Sequence, residues 1–167
     1  MLPEERGANF AQIERDHVRS RVYAPFDWHP FDAFSPYNPL RVPLRAARVA
    51  FVTTAGAHLS DQPPFDIDAD AGDPSWRAFS VETPLADLLL SHSGYDTRQA
   101  NADKNVVLPL DHLRALRDEG RIGSLSPEVY SFMGYVADTD RLLREEAPAV
   151  AERLIADGVD LVLLAPT

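Results

Sequence analysis

Three short apolar runs stand out along the chain, each closed by hydroxyls, glycine or proline: RVAFVTT at 48–54, ADLLLSHS at 86–93 and VDLVLLAPT at 159–167. A run that is apolar throughout predicts a strand buried on both faces rather than one with a wet side. WRAFSVE at 76–82 reads as a short edge strand. Helical spacing appears in PLDHLRALRDEG, where Leu113 and Leu116 lie one turn apart, Asp111 reads as N-cap and Gly120 as the C-terminal stop. A second helix is predicted from Asp138 or Thr139 to Gly158, with Leu143, Ala147, Val150 and Leu154 on its apolar face. Pro148 falls inside that pattern and predicts a kink or break near Ala147.

The first 44 residues read differently. Phe10, Ile13 and His17 predict a short amphipathic helix over 8–22. Beyond it, prolines recur between Pro25 and Pro43 among Phe26, Trp28, Phe31, Phe34 and Tyr37. Proline removes donors and fixes φ, so this stretch predicts an extended arm packed across the domain or across a partner. The predicted organisation is a helix and Pro/aromatic-rich arm over 1–44, then an α/β domain over 45–167. Buried strands separated by helices and long crossovers imply a mostly parallel sheet, Rossmann-like or flavodoxin-like in its layers, with helices on both faces. The three apolar runs are expected to be neighbouring parallel strands whose carboxyl ends share one rim.

Charge and composition narrow the chemistry. The net charge of −10 disfavours nucleic acid as a partner. No run approaches the ~20 apolar residues of a membrane span, and the first residues lack the apolar region of a secretory signal. A cytoplasmic location is therefore expected. The absence of cysteine rules out disulfides, thiolate metal sites and a cysteine nucleophile within residues 1–167. No dinucleotide fingerprint, P-loop or nucleophile elbow occurs. FDIDADAGD at 65–73 approaches a calcium-loop pattern, but its glycine is one place late and the closing glutamate is missing; a solvated acidic loop is expected.

The strand ends carry the candidate chemistry. The first run leads into Thr53, Thr54, Gly56 and His58, with Asp61 just beyond; the second leads into Ser91, His92, Ser93 and Asp96; the third ends at Thr167. Such residues also form ordinary turns, and a lone histidine is as readily structural. Together at strand ends they make a polar rim suited to a small anion or zwitterion. His58, His92 and Asp96 are the candidate catalytic residues; Thr53, Thr54, Gly56, Asp61, Ser91, Ser93 and Thr167 are the candidate substrate-binding residues. His58, His92 and Asp96 also have the types of a two-histidine, one-carboxylate metal site, though their spacing is not diagnostic; no metal is expected.

Four segments, RVAFVTTAGAHLSDQPPFD, LLLSHSGYD, DKNVVLPLDHLRALRDEGRIGSLSPEVYSFMGYV and RLIADGVDLVLLAPT, resemble in order and spacing the selenoprotein B subunits of glycine, sarcosine and betaine reductases and of D-proline reductase. The resemblance runs from about Pro39 to Thr167. It implies an oxidoreductase that cleaves a C–N bond next to a carboxylate, with a dithiol as reductant and other reductase subunits as partners. It also implies that Thr167 stands immediately before a catalytic selenocysteine or cysteine. The expectation is of a form cut at a UGA codon, inactive by itself, or of a short homologue without the redox loop. Under this resemblance His58 or His92 is the expected proton donor to the leaving amine, and an oligomer is expected. The Ala/Arg/Pro-rich composition departs from the well-known members, so no substrate is carried over. A non-catalytic binding or assembly subunit, and a metal-dependent enzyme using His58, His92 and Asp96, are the competing readings.

Overall fold

The computed structural model describes residues 38–95 and 97–167. The helix expected at 8–22, the aromatic arm up to Tyr37 and Asp96 lie outside the described residues. Pro39–Thr167 form one compact unit.

The strands are β1 (Arg48–Thr53), β2 (Ala57–Leu59), β3 (Arg77–Ser80), β4 (Leu88–Leu90), β5 (Ser124–Ser131) and β6 (Leu161–Ala165). The α-helices are α1 (Thr97–Ala102), α2 (Leu110–Asp118) and α3 (Ala147–Ala156). Four strands form the main sheet in the order β3-β5-β1-β6. β1 runs parallel to both β5 and β6, and β3 is antiparallel at one edge, where an edge strand was expected. Alternation along β1 splits the core into two layers. Phe51 joins Phe79, Val129, Leu110 and Leu113 on the face that α2 covers. Ala50 joins Tyr130, Val150 and Leu154 on the face that α3 covers. The fold is thus a mixed α/β arrangement with a mostly parallel sheet and helices on both faces.

The helix ends follow their glycines. Gly120 and Gly158 both stand at φ +67°, the left-handed conformation that closes a helix. The capping residue of α2 is Pro109, not Asp111 as the sequence predicts. Asp111 sits inside the first turn, where it accepts from Asn105 Nδ2 at 3.0 Å and from Arg114 Nη1 at 2.8 Å. The break expected near Ala147 takes the form of a π-helical stretch, Leu142–Glu146, which leads into α3 with Pro148 in its first turn. Proline lacks an N–H, and the first turn is where that loss costs least.

Two expectations about strands need correction. The run at 86–93 is not a buried strand of the parallel sheet. Its first residues form a 3-10 turn, and only Leu88–Leu90 are extended, as β4, antiparallel to β2 in a separate two-stranded sheet. Leu88 is buried while Leu89 is 49% exposed, so the run alternates instead of burying both faces. The place beside β1 belongs to β5, whose sequence SLSPEVYS hides it because proline argues against a central strand. The ladder accommodates Pro127 by an irregularity: Val49 pairs with Leu125, but Phe51 pairs with Val129. Three parallel strands still end on one edge; they are β1, β5 and β6.

β6 is the other edge of the sheet, and both of its faces are open. Leu161, Val162, Leu163 and Leu164 are 39, 36, 40 and 67% exposed. The acidic loop is locally organised. Asp73 accepts from the amides of Asp66 at 3.0 Å and Ser75 at 2.9 Å, and from the Ser75 hydroxyl. Burial alone would raise its pKa, but these bonds and Arg77 outweigh it and hold the carboxyl below its ordinary value. No helix among the described residues is long and apolar enough to cross a membrane.

Candidate functional site

The carboxyl edge of β1, β5 and β6 is tied together by backbone bonds. Thr54 N donates to Ala165 O at 3.2 Å, Phe132 N to Thr53 O at 2.9 Å, and Gly56 N to Phe132 O at 2.8 Å. The chain reverses at Gly56, φ +67°, and Ser91 N then donates to Gly56 O at 2.9 Å. That last bond carries the 91–95 segment to the edge of the main sheet, although β4 itself is not part of it.

Several candidate residues are consumed by the scaffold. Thr53 is buried; its hydroxyl lies 3.2 Å from Val107 O and 3.3 Å from Ala165 O, and it accepts from Ala55 N at 3.2 Å. His58 is 4% exposed and has both ring nitrogens paired, Nδ1 with Leu59 O at 2.8 Å and Nε2 with Ser91 Oγ at 2.9 Å. A carbonyl only accepts, so Nδ1 carries the hydrogen and Nε2 accepts from the Ser91 hydroxyl. Asp61 is exposed on the loop after β2. Ser93 is exposed, with Oγ 3.8 Å from Met133 Sδ.

Thr54, His92 and Thr167 come together at a second corner. Thr167 N donates to Thr54 Oγ1 at 2.8 Å. A Cβ built on Gly134 would stand 3.0 Å from both His92 Nε2 and Thr54 Cβ, so Gly134 packs against both side chains. His92 Nδ1 accepts from Gly94 N at 2.8 Å, and its ring lies 4.5 Å from that of Tyr95, whose hydroxyl donates to Ala55 O at 3.0 Å. Burial lowers the His92 pKa and raises that of Tyr95. His92 Nε2 is buried and has no hydrogen-bond partner among the described residues.

A groove of about 540 Å³ runs beside this corner, between the sheet and α3. Its walls include Val52, Thr54, Phe132, Gly134, Val150 and Leu164, and none of the described residues that line it is charged. Sequence reasoning missed the Met133–Gly134–Tyr135 turn that joins corner and groove. The signal was a glycine after an apolar pair in SFMGYV, unreadable as a strand end while β5 went unrecognised. Among the described residues no three His, Cys, Asp or Glu side chains converge on a metal-sized site.

The comparisons agree with the resemblance. Residues 23–167 match the family described as glycine/sarcosine/betaine reductase selenoprotein B (GRDB). The chain is 35% identical to the D-proline reductase subunit gamma of Acetoanaerobium sticklandii over 88% of its own length and 57% of that protein's. It is 35% identical to the betaine reductase complex component B subunit beta of Peptoclostridium acidaminophilum, over 74% of this chain and 29% of that one. It is 31% identical to a glycine reductase complex component B subunit gamma of Carboxydothermus hydrogenoformans, over 98% of this chain and 38% of that one. The chain therefore spans little more than half the length of the first and under two-fifths of the others. No solved structure matches it. A family match over residues 23–167, most of the chain, places this protein in the selenoprotein B family of glycine, sarcosine and betaine reductases.

Proposed function

We propose that this chain is the substrate-side part of a reductase subunit that acts on an amino acid or betaine-like amine and works with other reductase subunits. The observation that carries the reading is the Thr54–His92–Thr167 corner, at the carboxyl edge of the parallel sheet, within a chain of this family. Ligands of open α/β sheets bind at that edge. The relatives named above act on D-proline, betaine and glycine, which share a carboxylate on the carbon that bears nitrogen.

The chemistry would be reductive cleavage of the C–N bond. A selenolate or thiolate bonds to the α-carbon while the C–N electron pair leaves with the amine, which takes up a proton; a dithiol then reduces the product adduct. Residues 1–167 contain no cysteine, so that centre comes from outside them. The residues present orient the substrate: Thr54, held by the Thr167 amide, and His92 at the rim. His58 and Thr53 serve as scaffold in this reading. The metal-dependent alternative loses support because both nitrogens of His58 are already paired.

The test is an NMR titration of the 15N-labelled 167-residue chain with glycine, sarcosine, betaine and D-proline. Saturable shifts at the Thr54, His92 and Thr167 amides are expected for at least one of them. No shift with any of the four overturns the proposal.

A further inference from the structure

His92 presents a donor that the fold leaves open. Its Nδ1 accepts from the Gly94 amide at 2.8 Å, and an amide cannot give up its hydrogen. The neutral ring must therefore carry its hydrogen on Nε2. That nitrogen is buried without a partner among the described residues. Leaving such a group unpaired costs about 1–3 kcal/mol, and native proteins rarely do so without a use. Thr54 adds a second donor, because its Oγ1 accepts from Thr167 N and keeps its own hydrogen free to give.

From these positions we infer that His92 Nε2–H and the Thr54 hydroxyl together take the carboxylate of the substrate, and that residue 134 is glycine to let it reach them. The inference rests on the function proposed above and names the part of the substrate this corner holds. Gly134 belongs both to the corner and to the groove wall, at φ +88°, and any side chain there would press on His92 Nε2 and on Thr54. Gly134 and Thr54 thus border both the corner and the groove. The groove, apolar and uncharged, suits the alkyl or N-methyl body of such a molecule. Two neutral donors in a water-poor corner favour an anion without requiring a buried cation.

This assignment differs from a proton-donor role. An imidazolium would carry a second hydrogen on Nδ1, facing the Gly94 amide donor-to-donor. Burial also works against the charged ring. His92 binds; it does not supply the amine's proton.

The experiment compares betaine with choline, which has the same quaternary ammonium but an alcohol in place of the carboxylate. Both are titrated into the 15N-labelled full chain at pH 7, with long-range 1H–15N spectra reporting the His92 ring. The free protein should show the neutral Nε2–H form. Betaine should keep that form and move its Nε2–H signal downfield, and choline should bind about tenfold or more weaker, as expected for losing a hydrogen bond to a charged group. His92→Phe should abolish the preference for betaine. Gly134→Ala should weaken betaine binding while leaving the Nε2–H form in place; if that variant does not fold, His92→Phe carries the test. Betaine binding with an unmoved His92 signal, equal binding of choline, or an imidazolium in the complex overturns the assignment while the proposed function stands. If none of glycine, sarcosine, betaine and D-proline binds, both fall.

Discussion

His58 and His92 flank the same serine in space, and the fold treats them in opposite ways. His58 takes the Ser91 hydroxyl on Nε2, gives Nδ1–H to Leu59 O, and sets its ring edge-on to Phe65 at 6.3 Å between centroids. It has nothing left to offer a ligand. His92, the residue after Ser91, spends one nitrogen on Gly94 and holds the other unpaired. Two glycines pack at close quarters around the Ser91–His92 segment. Gly56 makes a backbone crossing with Ser91; Gly134 forms a thin wall over His92. A buried histidine with both nitrogens paired is a strut; in the assignment proposed above, the half-buried His92 with its open nitrogen is a ligand donor.

The glycines should separate the two corners most sharply. A Cβ on Gly56 would lie 1.9 Å from Ser91 O, against backbone that is itself hydrogen-bonded. Gly56→Ala should therefore destabilise the chain by more than about 4 kcal/mol, or prevent folding. Urea denaturation reads this directly. Gly134→Ala meets atoms at 3.0 Å, one of them the end of the His92 ring, and should cost less. Equal losses at the two positions would break the contrast.

The next effect is the strut itself. His58→Leu keeps an apolar body but strands the Ser91 hydroxyl, while Leu59 O keeps its bond from Gln62 N at 3.2 Å. An unpaired group of this kind costs about 1–3 kcal/mol, and a loss within that range is expected. His92→Phe removes no partnered Nε2 bond and should cost clearly less on the same denaturation curves. A His58 variant as stable as its His92 counterpart would show that the two rings are not differently used.

How much of this was legible beforehand follows from the same contrast. β1, β6, α2 and α3 announce themselves through apolar runs, helical spacing and closing glycines, because each is built from local pattern. β5 does not, because Pro127 sits inside it and the ladder absorbs the proline by a shift in register that only the neighbouring strand reveals. β4 misleads for the opposite reason: three leucines resemble a buried strand, but Leu89 faces outward. At the site, the strand-end rule led to Thr54, His92 and Thr167, and the structure gathers them. It named His58 on equal terms, since residue type and position cannot say which nitrogens will be paired. Gly134 stayed hidden because its role depends on His92, forty-two residues away in the chain.

The smallest expected effect is a dependence on pH. Burial holds the His92 pKa in the folded chain below its ordinary 6.5. As pH falls past 6.5, the unfolded chain takes up the proton first, so the unfolded state binds more protons across the window from 6.5 down to the lowered value. Stability from this group is therefore full above pH 6.5 and declines as pH falls through that window, levelling off once the folded ring is also protonated. The comparison is made by deleting His92 alone. In urea midpoints taken from pH 7.5 to pH 5, the wild-type chain should lose more stability than His92→Phe. Betaine at saturating concentration should leave the midpoint higher at pH 7.5, where the neutral Nε2–H ring holds the carboxylate and keeps its bond to Gly94. Identical slopes in the two proteins would show that the His92 ring does not pass from neutral to charged in the way its burial requires.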